Sequence, residues 1–217
     1  MSGNAVIVGL DEAGRGPLAG PVYAGACMIP CSLFRRRRSF GAWSPYRRIP
    51  RIDCVIADSK QLEPEDREIT YTWIIEQCAW GVGMATAEEI DTIGILAATE
   101  KAMNEAVAMI ESHITPTCLI VDGRDAFRFD YPHTSLIRGD GKEPCIAAAS
   151  IVAKVSRDKW MREQAKLFPQ YGFEKHKGYG TPEHLEAIRK YGLCALHRRS
   201  FLSRVLPVMK EAVSDRR

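Results

Sequence analysis

The chain has 217 residues, of which 46% are hydrophobic, enough to bury a full core in one domain or in one domain with an appendage. That composition excludes an intrinsically disordered chain, and no apolar run approaches the ~18 residues that a membrane span needs. The net charge is only +3, and it is unevenly placed. Residues 31–51 hold seven Arg and no acid, so the remainder of the chain is net negative. Charge alone therefore names no partner.

Taken in chain order, Ala5 to Leu10 reads as a buried strand that ends at the acidic pair Asp11-Glu12. Gly14, Gly16, Pro17, Gly20 and Pro21 then forbid a helix, and Val22 to Ile29 resumes as a strand. The two strands are expected to pair antiparallel across this wide Gly-rich turn. Residues 31–51 follow as an Arg-rich, irregular insertion in which Phe34, Phe40, Trp43 and Tyr46 are interleaved. Such a segment is either a tolerated surface insertion or an arm that adds sequence-independent phosphate contacts. A short apolar run, Cys54 to Ala57, leads to Asp58-Ser59-Lys60.

Pro64 opens a helix over Glu65 to Gln77, Ala79 to Ala85 reads as a strand, and Ile95 to Ile110 as a helix. Thr117 to Val121 is a buried strand that again ends in an acid, Asp122. Pro144 opens a long helix to about Leu167, and Thr181-Pro182-Glu183 caps a shorter one that Gly192 closes after Tyr191. The tail from His197 is basic and partly helical. This order defines an α/β protein with a mixed β-sheet flanked by helices and a helical C-terminal region over about residues 170–217.

The N-terminus shows neither a basic start nor an apolar signal core, and the seven cysteines form no C-x-x-C pair. Reduced core thiols in a cytoplasmic protein are expected.

Two buried strands each deliver a carboxylate, Asp11 and Asp122, to their carboxyl ends, where sites gather in α/β sheets. Asp158 lies seven residues beyond Ile151 on the long helix, only about 20° away around the axis, so it projects near the apolar face. A carboxylate there needs a partner: Lys154, Arg162 or a metal. With Glu12, these acids compose an oxygen-rich set suited to Mg2+ or Mn2+. For the neighbours Asp11 and Glu12 to serve one site, the strand is expected to bend or end there.

The segment from Gly9 to Val22, with its core Asp11-Glu12-Ala13-Gly14-Arg15-Gly16-Pro17, resembles the signature of ribonuclease HII, the type 2 ribonuclease H family. The resemblance continues, in family order, through Asp58-Ser59-Lys60, Val121-Asp122-Gly123, Ala149-Ser150 to Asp158, Lys177-Gly178-Tyr179-Gly180-Thr181 with His184, and His197 to Phe201. It implies a single ribonuclease HII-like domain over residues 1–217 with a ribonuclease H-like sheet. It implies a two-metal site of Asp11, Glu12, Asp122 and Asp158. It also implies that Gly14, Arg15 and Gly16 read a ribose 2′-hydroxyl through the backbone, and that Tyr179 packs on the following sugar. Lys60 and Lys154 would contact phosphates, and Ser150 belongs to the same expected substrate-binding set. His197-Arg198-Arg199 reads either as a solvated basic patch or as a patch on the substrate side.

The implied activity is hydrolysis of the RNA strand in RNA–DNA hybrids, and cleavage 5′ to single ribonucleotides embedded in duplex DNA. The products would carry 3′-hydroxyl and 5′-phosphate ends, and the biological role would be repair of misincorporated ribonucleotides by a monomeric enzyme. Two alternatives are carried. One is a ribonuclease HIII-like nuclease that cuts only hybrids; that family has Lys where this chain has Arg15. The other is a non-catalytic hybrid-binding protein whose acids hold a structural ion.

Overall fold

The computed structural model describes residues 5–33, 47–48, 55–56, 59 and 62–205. Its centre is a five-stranded mixed sheet built from β1 (Ile7–Ala13), β2 (Val22–Met28), β5 (Ala79–Ala85), β6 (Cys118–Asp122) and β7 (His133–Leu136), in the order β5-β2-β1-β6-β7. β1 pairs antiparallel with β2 and parallel with β6, while β6 pairs parallel with β7. Two two-residue strands, β3 (Arg47–Arg48) and β4 (Val55–Ile56), form a separate antiparallel pair. Most of the Arg-rich segment, along with Asp58 and Lys60, lies outside the described residues.

Helices cover both faces of the sheet. On one side α2 (Ala87–Ile93) and α3 (Ile95–Glu111) bury Ile90, Met103 and Ala106 against Val8, Leu10 and Val121. A capping box starts α2: Thr86 accepts from the Glu89 amide while the Glu89 carboxylate accepts from the Thr86 amide. On the other side α1 (Pro64–Gln77) and α4 (Pro144–Leu167) pack Trp73, Ile74, Ala147, Ala148 and Ile151 against Cys27 and Ile29. The Ala-rich first half of α4 lets it sit almost on the strands. A Cβ at Gly25 would fall 2.2 Å from the Ala149 carbonyl oxygen, so only glycine admits this approach.

The C-terminal part, with α5 (Phe173–His176), α6 (Pro182–Tyr191) and α7 (Arg199–Val205), has its own apolar cluster of Phe173, Tyr171, Ile188 and Leu202. Leu18, from the loop after β1, and Met161, from α4, complete that cluster and root it to the rest of the fold.

The expected fold class is observed, and the long helix and the Pro182 helix fall where the sequence puts them. Several strand and helix ends shift slightly, and one shift bears on the site. β1 does not end at Leu10 but runs to Ala13, because Asp11, Glu12 and Ala13 continue the ladder to Gly25, Ala24 and Tyr23. Among the described residues no helix is long and apolar enough to cross a membrane, and Cys27, Cys31, Cys78, Cys118, Cys145 and Cys194 are free thiols.

Candidate active site

The parallel pairing of β1 with β6 is what makes the site. The register matches Gly9 with Ile120 and Leu10 with Val121, so the next residues, Asp11 and Asp122, come level at the carboxyl ends of adjacent strands. Strand alternation puts both on the face covered by α4, because Leu10 and Val121 already point into the α3 core. Glu12, one residue on, is out of phase with this alternation, yet its carboxylate is close enough to act electrostatically on Asp11 and to feel Asp122.

A third carboxylate reaches them from a segment with no strand or helix periodicity. The Gly139 amide donates to Asp122 Oδ1 at 2.6 Å, which seats the 3-10 turn Gly139–Gly141 against the end of β6. Asp140 in that turn is buried, and its Oδ1 accepts from the Gly141 amide at 2.9 Å. One oxygen each of Asp11, Asp122 and Asp140 lies within 4.8 Å of the others.

Burial, first, and then the charges of Glu12 and Asp122 hold the Asp11 carboxyl well above its ordinary range. The Glu12 amide, which donates to Asp11 Oδ1 at 2.7 Å, and the Ser150 hydroxyl oppose that rise only in part. Ser150 is itself buried and shares a 2.7 Å hydrogen bond with Ser59. Burial also raises Glu12, against the pull of Arg15, whose Nη1 donates to Glu12 Oε1 at 3.2 Å and to Asp125 Oδ2 at 2.7 Å.

Three converging carboxylates, with the Asp11 carboxyl held above its ordinary range, form an incomplete electrostatic unit. All their donors are hard oxygens, so the residues present fit Mg2+ or Mn2+ and offer nothing to a thiophilic ion.

Asp158 is not in this group. Lys154 Nζ donates to its Oδ1 at 2.8 Å, an i,i+4 pair on α4. Of the three partners that a carboxylate on this helix face admits, Lys154, Arg162 or a metal, the Lys154 pairing is observed. Helical spacing alone does not reveal the helix direction. Ser150 lies beside Asp11, and α4 carries Asp158 eight residues farther, about 12 Å along the axis at ~1.5 Å per residue. Asp140 is the acid that sequence reasoning missed. The available signal was its position between Gly139 and Gly141, immediately before the Pro144 helix start.

Two glycines of the loop after β1, Gly14 and Gly16, differ in kind. Gly14 has φ +93°, and a Cβ there would lie 2.1 Å from Arg157 Nε, so the fold itself requires glycine. At Gly16 a Cβ would meet nothing within 4 Å and φ is not positive. No contact within the described chain demands a glycine at that position.

Tyr179, 45% exposed, stands beside this loop, which is tied to the Gly-Tyr-Gly turn by the Leu18 amide donating to the Gly178 carbonyl at 2.8 Å. His184 and His197 sit behind it. The Tyr179 carbonyl accepts from His184 Nδ1 at 2.9 Å, and His184 Nε2 lies 3.2 Å from His197 Nε2. The expected solvated patch at His197-Arg198-Arg199 is not observed: His197 and Arg198 are buried, and Arg198 donates to the Gly14, Arg15 and Gly20 carbonyls of the loop.

A mixed sheet with acids at the ends of adjacent parallel strands and helices on both faces is the ribonuclease H-like fold. Comparison with solved structures agrees. Ribonuclease H2 from Pyrococcus horikoshii OT3 matches with a TM-score of 0.69 and 25% identity over 96% of this chain and 99% of that one. Bst ribonuclease HIII in complex with Mn2+ matches in fold, with a TM-score of 0.66 at 17% identity over 99% of this chain and 72% of that one. The family model described as ribonuclease HII matches residues 46–204.

Among curated relatives, ribonuclease HII of Chlamydia muridarum (strain MoPn / Nigg) is 43% identical over 201 residues, 92% of this chain and 83% of that protein. Ribonuclease HII of Geobacillus thermodenitrificans (strain NG80-2) is 47% identical over 197 residues, 90% of this chain and 68% of that protein. The chain belongs to the ribonuclease HII family and is a hydrolase of the ribonuclease H class.

Proposed function

We propose that this enzyme hydrolyses the RNA strand of RNA–DNA hybrids and also cuts 5′ to a single ribonucleotide in duplex DNA. The observation that carries this reading is the convergence of Asp11, Asp122 and Asp140, three acids from separate segments, within 4.8 Å. Asp11, Asp122 and Asp140, with Glu12 adjoining, would hold the divalent cations, Mn2+ or Mg2+, and Asp140 takes the place that sequence reading had given to Asp158. Bound there, a pair of such ions supplies activation of water and neutralisation of the charge on the leaving oxygen.

The rest of the work falls to the chain. Water attacks phosphorus, the P–O3′ bond breaks, and the leaving oxygen takes up a proton, so the products are a 3′-hydroxyl and a 5′-phosphate. Backbone amides of the Gly14-Arg15-Gly16 loop would bond the 2′-hydroxyl, the group that separates RNA from DNA. The open space at Gly16 supports that role. Tyr179, exposed beside the loop, would pack on the adjoining sugar. Lys154, one-quarter exposed on α4, and Lys60, outside the described residues, would contact phosphates. Removal of ribonucleotides misincorporated into DNA, in the cytoplasm, is the role that this chemistry serves.

The test is cleavage of three duplexes, each with Mg2+ and with Mn2+: one with a single ribonucleotide, an RNA–DNA hybrid and an all-DNA duplex. Cutting of the first two and not the third is expected. Cutting of the hybrid alone would replace this reading with the ribonuclease HIII-like one.

A further inference from the structure

Two arginines lie inside the protein beneath the loop after β1. Arg198 is 0% exposed and Arg157 is 1% exposed. Arg198 donates from Nη2 to the Gly14 carbonyl at 2.6 Å, from Nη1 to the Arg15 carbonyl at 3.0 Å and from Nε to the Gly20 carbonyl at 2.8 Å. Arg157 donates from Nη2 to the Ala19 carbonyl at 3.1 Å and from Nε to the Pro21 carbonyl at 2.9 Å. Gly14, Arg15, Ala19, Gly20 and Pro21 therefore all turn their carbonyls toward two adjacent guanidinium groups.

This arrangement carries a desolvation cost. Arg157 Nη1 is buried with no hydrogen-bond partner among the described residues. Each guanidinium is desolvated against neutral carbonyls rather than a carboxylate, and burial pushes Arg198 down to about 9.

Peptide geometry links the arrangement to the loop amides. In a trans peptide the carbonyl of one residue and the amide of the next point to opposite sides of the chain, and no peptide among the described residues is cis. Drawing the Gly14 and Arg15 carbonyls down onto Arg198 therefore turns the Arg15 and Gly16 amides up. They face the open side, where a Cβ on Gly16 would touch nothing within 4 Å.

We infer that Arg198, with Arg157 beside it, is a positioning residue for ribose recognition: it sets the outward aim of the Arg15 and Gly16 amides. The inference rests on the proposal that this loop reads the 2′-hydroxyl. A lysine cannot replace Arg198, because one ammonium has no planar fork with which to hold carbonyls from both ends of the loop.

The experiment compares binding, in an Asp11→Asn background that leaves substrate uncut, to a duplex containing one ribonucleotide and to the all-DNA duplex of the same sequence. Fluorescence anisotropy with Mg2+ present gives both Kd values. The background protein is expected to prefer the ribonucleotide duplex by about tenfold or more. Adding Arg198→Lys is expected to bring that ratio close to one while leaving affinity for all-DNA duplex within about twofold, since phosphate contacts supply the non-specific term.

An unchanged ratio overturns the proposal. So does an equal loss of both affinities, which is what a merely structural arginine would produce. Absence of any preference in the background protein itself overturns the reading of the loop and the inference with it, and is thereby told apart. Hydrogen exchange of the Arg15 and Gly16 amides in the Asp11→Asn protein needs no Arg198 variant. Protection by the ribonucleotide duplex and none by all-DNA duplex is expected, and equal protection by both overturns the proposal.

Discussion

The Gly139 amide donates to Asp122 Oδ1 at 2.6 Å, and through that bond the end of β6 captures the turn that carries Asp140. Asp122 thus has two tasks: one carboxylate oxygen organises the neighbouring turn, and the group as a whole belongs to the acidic cluster. Removing Asp122 is therefore expected to displace Asp140 as well, so losses at the two positions should be strongly non-additive.

The two aspartates assigned different places by the fold make the sharpest comparison. Asp140→Asn is expected to lower kcat on an RNA–DNA hybrid by about a hundredfold or more, ~3 kcal/mol of transition-state stabilisation. Asp158→Asn, which breaks only the Lys154 pair, should leave kcat within about tenfold, as partly exposed ion pairs contribute little. Steady-state kinetics on the two folded variants decide the matter, and an Asp158→Asn loss as severe as that of Asp140→Asn would return Asp158 to the site.

Metal-free enzyme should be destabilised by its own acidic cluster. The folded-state affinity of Asp11 for a proton exceeds that in the unfolded chain, chiefly through burial and then through Glu12 and Asp122. A raised carboxylate contributes stability below its unfolded value that is lost as pH rises through its folded one. Near neutral pH without divalent ions, Asp11→Asn is therefore expected to stabilise the protein, by about 0.5–2 kcal/mol. Added Mg2+ or Mn2+ should raise the Tm of the parent chain and leave the variant nearly unmoved, with EDTA reversing the gain. A parent Tm indifferent to both ions would refute the cluster as a metal site.

Gly14 and Gly16 separate stability from function. Gly14→Ala combines a φ of +93° with a 2.1 Å contact to Arg157 Nε and should cost about 1–3 kcal/mol of stability. Gly16→Ala meets no neighbour and should shift Tm by only about 1–2 °C. Its kcat/KM on a single-ribonucleotide duplex should nevertheless fall by about tenfold or more, because a methyl group stands where the sugar must approach. Calorimetry alongside the kinetic assay checks both halves, and full activity in Gly16→Ala would remove the argument for close approach there.

The histidine pair behind Tyr179 predicts an acid limb of stability. Burial, first, lowers both His184 and His197 to about 4 from an ordinary value of 6.5. Both are neutral in the fold, so the unfolded chain binds more protons below pH 6.5. Their contribution is present above that pH and is lost as pH falls toward 4. Proton counting agrees: the Tyr179 carbonyl takes the His184 Nδ1 proton, and a second proton on Nε2 would confront His197 at 3.2 Å. Thermal unfolding of the parent and of His184→Gln from pH 7 to pH 4 should show a shallower decline in the variant. Parallel curves would mean that the pair does not titrate in this window.

What the sequence by itself determined was carried by short-range regularities. Apolar runs ending at Asp11 and Asp122 marked strand ends, the Pro144 start and the i,i+4 relation of Lys154 to Asp158 were legible as helix geometry, and the glycine and proline spacing excluded a helix after Glu12. These are properties of a few adjacent residues, and the backbone periods of two and 3.6 expose them.

Tertiary structure alone decided which acids meet. Asp140 lies in an irregular turn without periodicity, and only the Asp122–Gly139 bond brings it in. Asp158 sits on a correctly read helix whose direction takes it away from Asp11. Arg157 and Arg198 look like ordinary solvated charges until the Gly14–Pro21 loop folds over them. The physical reason is common to all three: a side chain's neighbours across the fold depend on strand register, helix direction and loop closure, and none of these is encoded within the few residues around it.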